Sequence, residues 1–285
     1  MVIKMKVIGK VPSYKKESLS LEIDLIFKQL SGKSDALNVT VCSNRSTFQD
    51  YVVSELKKRT NFEQPEFFVS SLPTILFMPY PPPEICIDME DLSVRSETER
   101  RFALAHEIAH YLLKEYPPHG APEFMSNLNR IYSLTKDEGI SRECLSILLN
   151  LIGDTRAYKL MFKSDISYRQ LALEALLEEK KRLNAKALGK SIKLDDLTFS
   201  YLVLLTARNM GRISVILTLQ EFDRKLAEEY QSHWFEVINE VMANVPLVSL
   251  AVKRLIKRYS EFGFDLDSVV DGFIRITTEC FQDFK

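Results

Sequence analysis

The residues best suited to chemistry in this chain are His106, Glu107 and His110, in the segment RFALAHEIAHY (101–111). Positions i and i+4 of an α-helix lie on one face, one turn apart. Two imidazoles at that spacing can therefore reach one metal ion at about 2.0–2.1 Å. Glu107 stands beside them, where a carboxylate can take a proton from water activated by such a metal. The pattern predicts that His106 and His110 bind Zn²⁺ and that Glu107 is the general base.

The flanks of this motif indicate a buried helix. The apolar residues form stripes on two of its sides: Phe102, Ala105, Ala109 and Leu113 on one, and Leu104, Ile108 and Leu112 on the other. Polar side chains that are buried without partners cost free energy. A metal ion would supply partners for the two histidines, which are half of the four in the chain.

The segment ERRFALAHEIAHYLL (99–113) resembles the active helix of the zincin metallopeptidases, in particular the ImmA/IrrE-type peptidases and other gluzincin-like families. The resemblance is strong over these residues, weak over 60–160, and does not cover the C-terminal third. It implies a small sheet and helices before the motif helix, Zn²⁺ as cofactor, and hydrolysis of peptide bonds. It also implies a peptide or protein substrate, which in the ImmA/IrrE type would be one regulatory protein.

A catalytic zinc normally has three protein ligands and one open position. The metzincin pattern HExxHxxGxxH is excluded, because Leu113 and Tyr116 occupy its glycine and third-histidine positions. By resemblance to the gluzincin pattern ExxA[DN], the segment DTRAY (154–158) offers Asp154 as the third ligand, with Tyr158 in place of the family's Asp or Asn. Asp154 also interrupts an apolar run, LSILLNLIGD, in which an unpaired carboxylate would be hard to bury.

Alternatives to Asp154 stay open. Glu143 shares its helix face and is a possible ligand, or a residue that orients a ligand histidine. A buried salt bridge to an arginine such as Arg101 or Arg142 would explain Asp154 without a metal. The remaining acidic candidates are Asp137, Glu138 and Glu123.

Two further side chains are candidates for stabilising the oxyanion of a tetrahedral intermediate. His119 follows the motif in a proline-rich segment, and Tyr158 lies one turn after Asp154. Each also has an ordinary explanation, since loop histidines are usually solvated and tyrosines usually belong to the core or its rim.

The periodicities predict an α+β chain. Its zincin-like N-terminal part has a small sheet, helices and the HExxH helix, and a mainly α-helical C-terminal region follows. Strands are predicted at 5–11, 36–42, 67–78 and 84–89, the last as an edge strand that pairs with an extended peptide. Helices are predicted at 19–30, 47–58, 96–115, 138–163, 168–187, 195–210, 219–243, 246–261 and 266–283. The helix at 47–58 is predicted to have Ser46 or Thr47 as its cap, and the helix at 96–115 to begin with a capping box of Ser96 and Glu99. A loop is predicted at about 117–125. The predicted domains are a zincin-like metallopeptidase domain at 1–164 and a helical C-terminal domain at 165–285.

The composition limits the functional class. The chain has 285 residues, 46% of them hydrophobic, and a net charge of −1, which argues against a dedicated nucleic-acid-binding protein. No run of 18 apolar residues predicts a membrane span, and the N-terminus does not have the pattern of a signal peptide. The four cysteines form no CxxC pair and indicate reduced thiols in the cytoplasm. The sequence does not indicate an oligomeric state.

These observations predict a cytoplasmic, zinc-dependent metallopeptidase. The alternative is a catalytically inactive zincin-fold protein that acts as a protein-binding module.

Overall fold

The computed structural model describes residues 2–31, 36–59, 73–113, 122–186, 198–262 and 265–284. The strands are β1 (Val2–Ile8), β2 (Ala36–Cys42), β3 (Ile75–Met78) and β4 (Glu84–Asp88). The helices of the N-terminal part are α1 (Ser13–Ser31), α2 (Arg45–Arg59), α3 (Met89–Ser93) and α4 (Glu97–Leu113). They are followed by α5 (Pro122–Thr135), α6 (Glu138–Ser164), α7 (Ser167–Lys186), α8 (Phe199–Arg208), α9 (Ile213–Phe222), α10 (Arg224–Val241), α11 (Pro246–Phe262) and α12 (Leu266–Cys280). The predicted α+β class is confirmed at this level.

The four strands form one mixed sheet in the order β1-β2-β4-β3. β2 pairs in parallel with β1 and with β4, whereas β3 pairs with β4 antiparallel. The prediction that residues 84–89 form an edge strand is therefore wrong, because β4 lies between β2 and β3. Among the described strands the edges are β1 and β3. The predicted strand at 67–78 is observed from Ile75, and its first residues lie outside the described part of the chain.

The sheet carries different helices on its two faces. Successive side chains of each strand point to opposite faces, so each face has its own set of side chains for a helix to pack on. On one face, α4 packs on β3 and β4 and is in turn packed against α1. On the other face, α2 packs on β2 and β4 through a cluster of Cys42, Phe48, Val52, Met78 and Cys86. The sheet therefore forms the central layer between α4 and α2.

Helix α4 begins with the predicted capping box. The backbone N–H of Glu99 donates to the Ser96 hydroxyl at 3.1 Å, and the Ser96 N–H donates to the Glu99 carboxylate at 3.1 Å. These two bonds satisfy N–H groups that a helix start otherwise leaves without partners. Leu104 and Ile108 are fully buried, so the cap and the apolar stripe fix the helix that carries the motif.

Helix α2 begins earlier than predicted. The Asn44 side chain accepts the Thr47 N–H at 3.0 Å, so Asn44 caps this helix and the prediction of Ser46 or Thr47 is wrong. The physical reason is that an asparagine side chain reaches the N3 amide as well as a serine does, and sequence alone does not choose between adjacent cap residues.

The chain divides into two compact units, and the division falls inside α6. The first unit comprises Met1–Tyr116 and Lys159–Ala175, and the second comprises Pro117–Tyr158 and Leu176–Lys285. Helix α6 is continuous and belongs to both units. Its residues up to Tyr158 belong to the second unit, and its last turns belong to the first. A division inside a helix leaves no turn or proline signal in the sequence.

The second unit is a helical assembly with its own apolar core, which includes the fully buried Tyr230 and Phe273. Two of its features were not predicted. Helix α5 occupies residues placed in a loop or left unassigned, and the predicted helix at 219–243 is broken at Asp223. The Asp223 carboxylate accepts the Leu226 N–H at 3.0 Å, so this residue ends α9 and caps α10.

One stretch, Phe199–Phe222, is long and apolar enough to cross a membrane, with a mean hydropathy of 1.4. However, 72% of its most apolar window is buried inside the protein, and a turn at 209–212 separates α8 from α9. This burial is typical of core helices.

The cysteine thiols provide a test of this core. All four are free, and Cys42, Cys86 and Cys144 are buried. Burial raises the pKa of Cys42 and of Cys144 to about 12, because it disfavours the charged thiolate. Burial raises the pKa of the partly exposed Cys280 thiol as well. Since the thiolate is the reactive form and the other three thiols are buried, we expect a thiol reagent at pH 8 to modify Cys280 alone in a first, rapid phase in the native protein.

The reagent should reach four thiols after unfolding, and a Cys280→Ser variant should lose the rapid phase. Rapid native modification of two or more thiols would contradict the described packing.

The capping box gives a second test. We expect Ser96→Ala to lower the free energy of unfolding by about 1 kcal/mol, because it removes the side-chain acceptor at the start of α4. Urea unfolding measures this change. Ser18→Ala is the matched control, since Ser18 lies exposed inside α1 and alanine favours a helix interior. Equal stability of the two variants would show that the cap does not stabilise α4.

Candidate metal centre

His106 and His110 lie on the same side of α4, and their imidazoles converge. The two Nε2 atoms are 3.2 Å apart, and the ring planes are perpendicular, with centroids separated by 4.6 Å. Both side chains are half-buried. The helical spacing thus places two nitrogen donors where one ion can meet both.

A third donor comes from α6. His106, His110 and Asp154 each offer one ligand atom, and these atoms all lie within 4.8 Å of one another. Asp154 is half-buried like the histidines. Within the described ranges no other group of three or more His, Cys, Asp or Glu side chains meets this criterion. The structure therefore brings together the three residues predicted to bind the metal.

The donor set and its spacing fit a zinc ion. Zinc binds imidazole nitrogen and carboxylate oxygen at about 2.0–2.2 Å, so two ligands of a tetrahedral site stand about 3.3 Å apart. The separation of the histidine nitrogens, 3.2 Å, is close to that value. Two neutral imidazoles and one carboxylate make a three-ligand set of the catalytic kind, which leaves a fourth position open. The group can hold a metal ion, and zinc is the ion that we propose below.

Glu107 is held by the sheet. Its Oε2 atom accepts a hydrogen bond of 2.8 Å from the backbone N–H of Phe77 in β3. The Oε1 atom has no hydrogen-bond partner in the described part of the chain. Glu107 is half-buried and adjacent in sequence to a candidate ligand, so its carboxylate is fixed at one oxygen and available at the other.

Phe77 also supports the histidine helix, a role that the sequence did not reveal. Its ring stacks on His110 with an interplanar angle of 5° and a centroid distance of 6.4 Å, and it meets Tyr111 edge-on at 6.0 Å. The Tyr111 hydroxyl donates to the Ala36 carbonyl at 2.9 Å. The only sequence signal was an aromatic residue within a predicted strand, which does not distinguish a support from ordinary core.

Glu143, the predicted alternative, lies outside the group of ligand atoms. Both of its carboxylate oxygens accept from the Arg208 guanidinium, at 2.7 and 3.1 Å. This two-pronged ion pair uses the oxygens that a metal would need. Of the arginines proposed as partners of Asp154, Arg142 instead bonds Glu138 on its own helix at 2.6 Å.

The two predicted oxyanion stabilisers gain no support. Tyr158 is buried, with 5% of its surface exposed. The pKa of the Arg212 guanidinium is raised by Tyr230 first, then by Glu179 and Tyr158, so Tyr158 takes part in the buried electrostatics around that arginine. His119 lies outside the described residues.

We compared the chain with known proteins, and no protein-family model, curated protein or solved structure matches it.

A zinc-binding measurement separates the two acidic candidates. We expect Asp154→Ala to raise the dissociation constant for zinc at least about tenfold, because even residues that merely orient a ligand are worth about 10–100-fold. Glu143→Gln should bind zinc like the wild type, since its carboxylate pairs with Arg208. Competition with a chromophoric chelator measures both constants.

The assignment would be overturned if Asp154→Ala bound zinc with unchanged affinity. Equal loss in both variants would also count against it, because Glu143→Gln is the control for removing one acid from the same helix.

Proposed function

We propose that the protein is a zinc-dependent metallopeptidase. The observation that carries this proposal is the convergence of His106, His110 and Asp154, with ligand atoms within 4.8 Å, beside the fixed carboxylate of Glu107. The sequence resemblance to zincin peptidases of the ImmA/IrrE type supports the same assignment. The small mixed sheet ahead of α4 agrees with the zincin-like arrangement that the resemblance implies.

In this proposal His106, His110 and Asp154 would hold the ion. When bound, zinc lowers the pKa of water and polarises the carbonyl of the scissile amide. Asp154 contributes the single negative charge of the ligand set, so the centre keeps a net positive charge. That charge favours the developing oxyanion of the transition state.

Glu107 moves the proton. Its Oε2 atom stays on the Phe77 N–H, and Oε1 takes a proton from the attacking water and delivers it to the leaving nitrogen. The hydrogen bond from Phe77 limits rotation of the carboxylate, which keeps Oε1 in one orientation. A fixed general base of this kind contributes about 10²–10⁴-fold to the rate.

We place an extended peptide substrate along β3. This strand is an edge of the described sheet, and Phe77, in its centre, contacts both Glu107 and His110. A peptide that adds to such an edge is bound by main-chain hydrogen bonds. β3 replaces β4 as the proposed docking strand, because β4 is paired on both sides.

The cellular location belongs to the same proposal. Four free thiols, three of them buried, suit a reducing compartment. We therefore place the enzyme in the cytoplasm, where the substrate would be a peptide or, as in the ImmA/IrrE resemblance, one regulatory protein.

The decisive variant is Glu107→Gln. We expect it to bind zinc like the wild type and to lose peptide cleavage by at least about 10²-fold, because the amide accepts no proton but preserves the size of the side chain. Zinc content is measured by elemental analysis, and cleavage by mass spectrometry of a peptide library. Glu143→Gln, which makes the same change away from the cluster, is the control and should cleave normally.

Retained cleavage in Glu107→Gln would remove that residue from the mechanism. A wild-type protein that holds zinc but cleaves nothing in the library would favour the protein-binding alternative.

A further inference from the structure

The face of the sheet that carries α2 contains a polar cavity, on the side opposite to α4. Lys4 and Lys6 of β1, Thr40 of β2 and Glu84 of β4 project to this face, since the register places them there and side chains alternate along each strand. Phe77, whose ring stacks on His110, projects to the other face. The cavity is therefore separated from the candidate metal centre by the sheet itself.

The cavity has a defined size and opening. Helix α2 packs on β2 and β4, and the exposed side chains of Lys4 and Lys6 on β1 line the mouth of the cavity. The cavity is open to solvent and has a volume of about 390 Å³. Pockets for small molecules span about 300–1,000 Å³, so the space suits a metabolite rather than a protein segment.

The floor is a buried and satisfied polar network. Glu84 is 4% exposed, and its carboxylate accepts from the Thr40 hydroxyl at 2.7 Å, from the Tyr51 hydroxyl at 3.0 Å, and from the Arg59 guanidinium. Arg59 also bonds Glu55. Lys58 also pairs with Glu55, at 3.0 Å, so Arg59 and Lys58 together balance the two carboxylates and the floor carries no net negative charge.

The mouth, in contrast, carries positive charge without acidic partners. Among the described residues neither Lys4 nor Lys6 forms an ion pair, and the Lys6 ammonium lies 4.7 Å above the Tyr51 ring. Three cations line the cavity (Lys4, Lys6, Arg59) against two anions (Glu55, Glu84), which leaves one net positive charge. This surplus stands out in a protein whose net charge is −1 and favours an anionic ligand.

Structural roles explain only part of this arrangement. Arg59 fastens α2 to the loop before β4 through the carbonyls of Tyr80 and Pro82, which accounts for the floor and one wall. Lysines on an edge strand also discourage pairing with other sheets. Neither role requires an open cavity between Arg59 and the lysines of β1.

We propose that this cavity binds a small organic dianion, a phosphate ester or a dicarboxylate. The two lysine ammonium groups hold the charged end, and the hydroxyls of Thr40 and Tyr51 with the Asn38 side chain face the remainder of the ligand. Ammonium groups bind such anions by charge-assisted hydrogen bonds. The site is independent of the proposed peptidase activity.

Calorimetric titration tests the proposal on the full chain at constant ionic strength, balanced with chloride. The probes are inorganic phosphate, glycerol 3-phosphate and malonate. We expect saturable binding of one anion per chain and at least tenfold weaker binding in the double variant Lys4→Gln/Lys6→Gln. The control is Lys163→Gln/Lys225→Gln, which removes two exposed lysines elsewhere and should bind like the wild type.

Tighter binding of glycerol 3-phosphate than of malonate would identify the ligand class as phosphate esters, and the reverse order would identify it as dicarboxylates. His106→Ala must retain the binding, because phosphate held by a metal at the other face would be lost in that variant. Non-saturable heats with every probe, equal binding in the two double variants, or loss of binding in His106→Ala would each overturn the proposal. None of these results depends on whether the protein cleaves peptides.

Discussion

The spacing of two imidazoles on one helix turn is the constraint on which this molecule's proposed chemistry depends. Four residues along α4 bring the Nε2 atoms of His106 and His110 to 3.2 Å, a distance that two ligands of one small ion adopt. A shift of one residue would turn one ring by about 100° around the helix axis and separate the donors. The site therefore requires a regular helix held in one rotation about its axis.

The surrounding structure supplies that restraint. The capping box at Ser96 and Glu99 fixes the start of α4, while buried Leu104 and Ile108 fix the face that it turns to the sheet. Near the other end, Phe77 of β3 contacts the motif in two ways, by its ring on His110 and by its N–H on Glu107. One short strand thus positions a candidate ligand and the candidate base together. The same sheet carries a separate polar cavity on its other face.

The sequence predicted the parts of the site that local rules determine. The motif helix and its cap follow from spacing and from adjacent side chains. Asp154 was predicted from the resemblance of its segment to the gluzincin pattern and from its position in an apolar run, where a carboxylate needs a partner. The role of Phe77 and the edge position of β3 could not be predicted, since they depend on strand order, which alternation within a strand does not encode. The break at Asp223 was not predicted, because aspartate occurs both inside helices and at their caps and the residue type alone does not distinguish the two positions.

The most direct test of the proposed zinc centre is the anomalous diffraction at the zinc edge from crystals of the zinc-loaded protein. We predict one strong peak per chain, in contact with Nε2 of His106, Nε2 of His110 and a carboxylate oxygen of Asp154, with no fourth protein ligand. A peak elsewhere, no peak at full zinc supply, or a fourth protein ligand that closes the site would contradict the claim that these residues form a catalytic zinc centre.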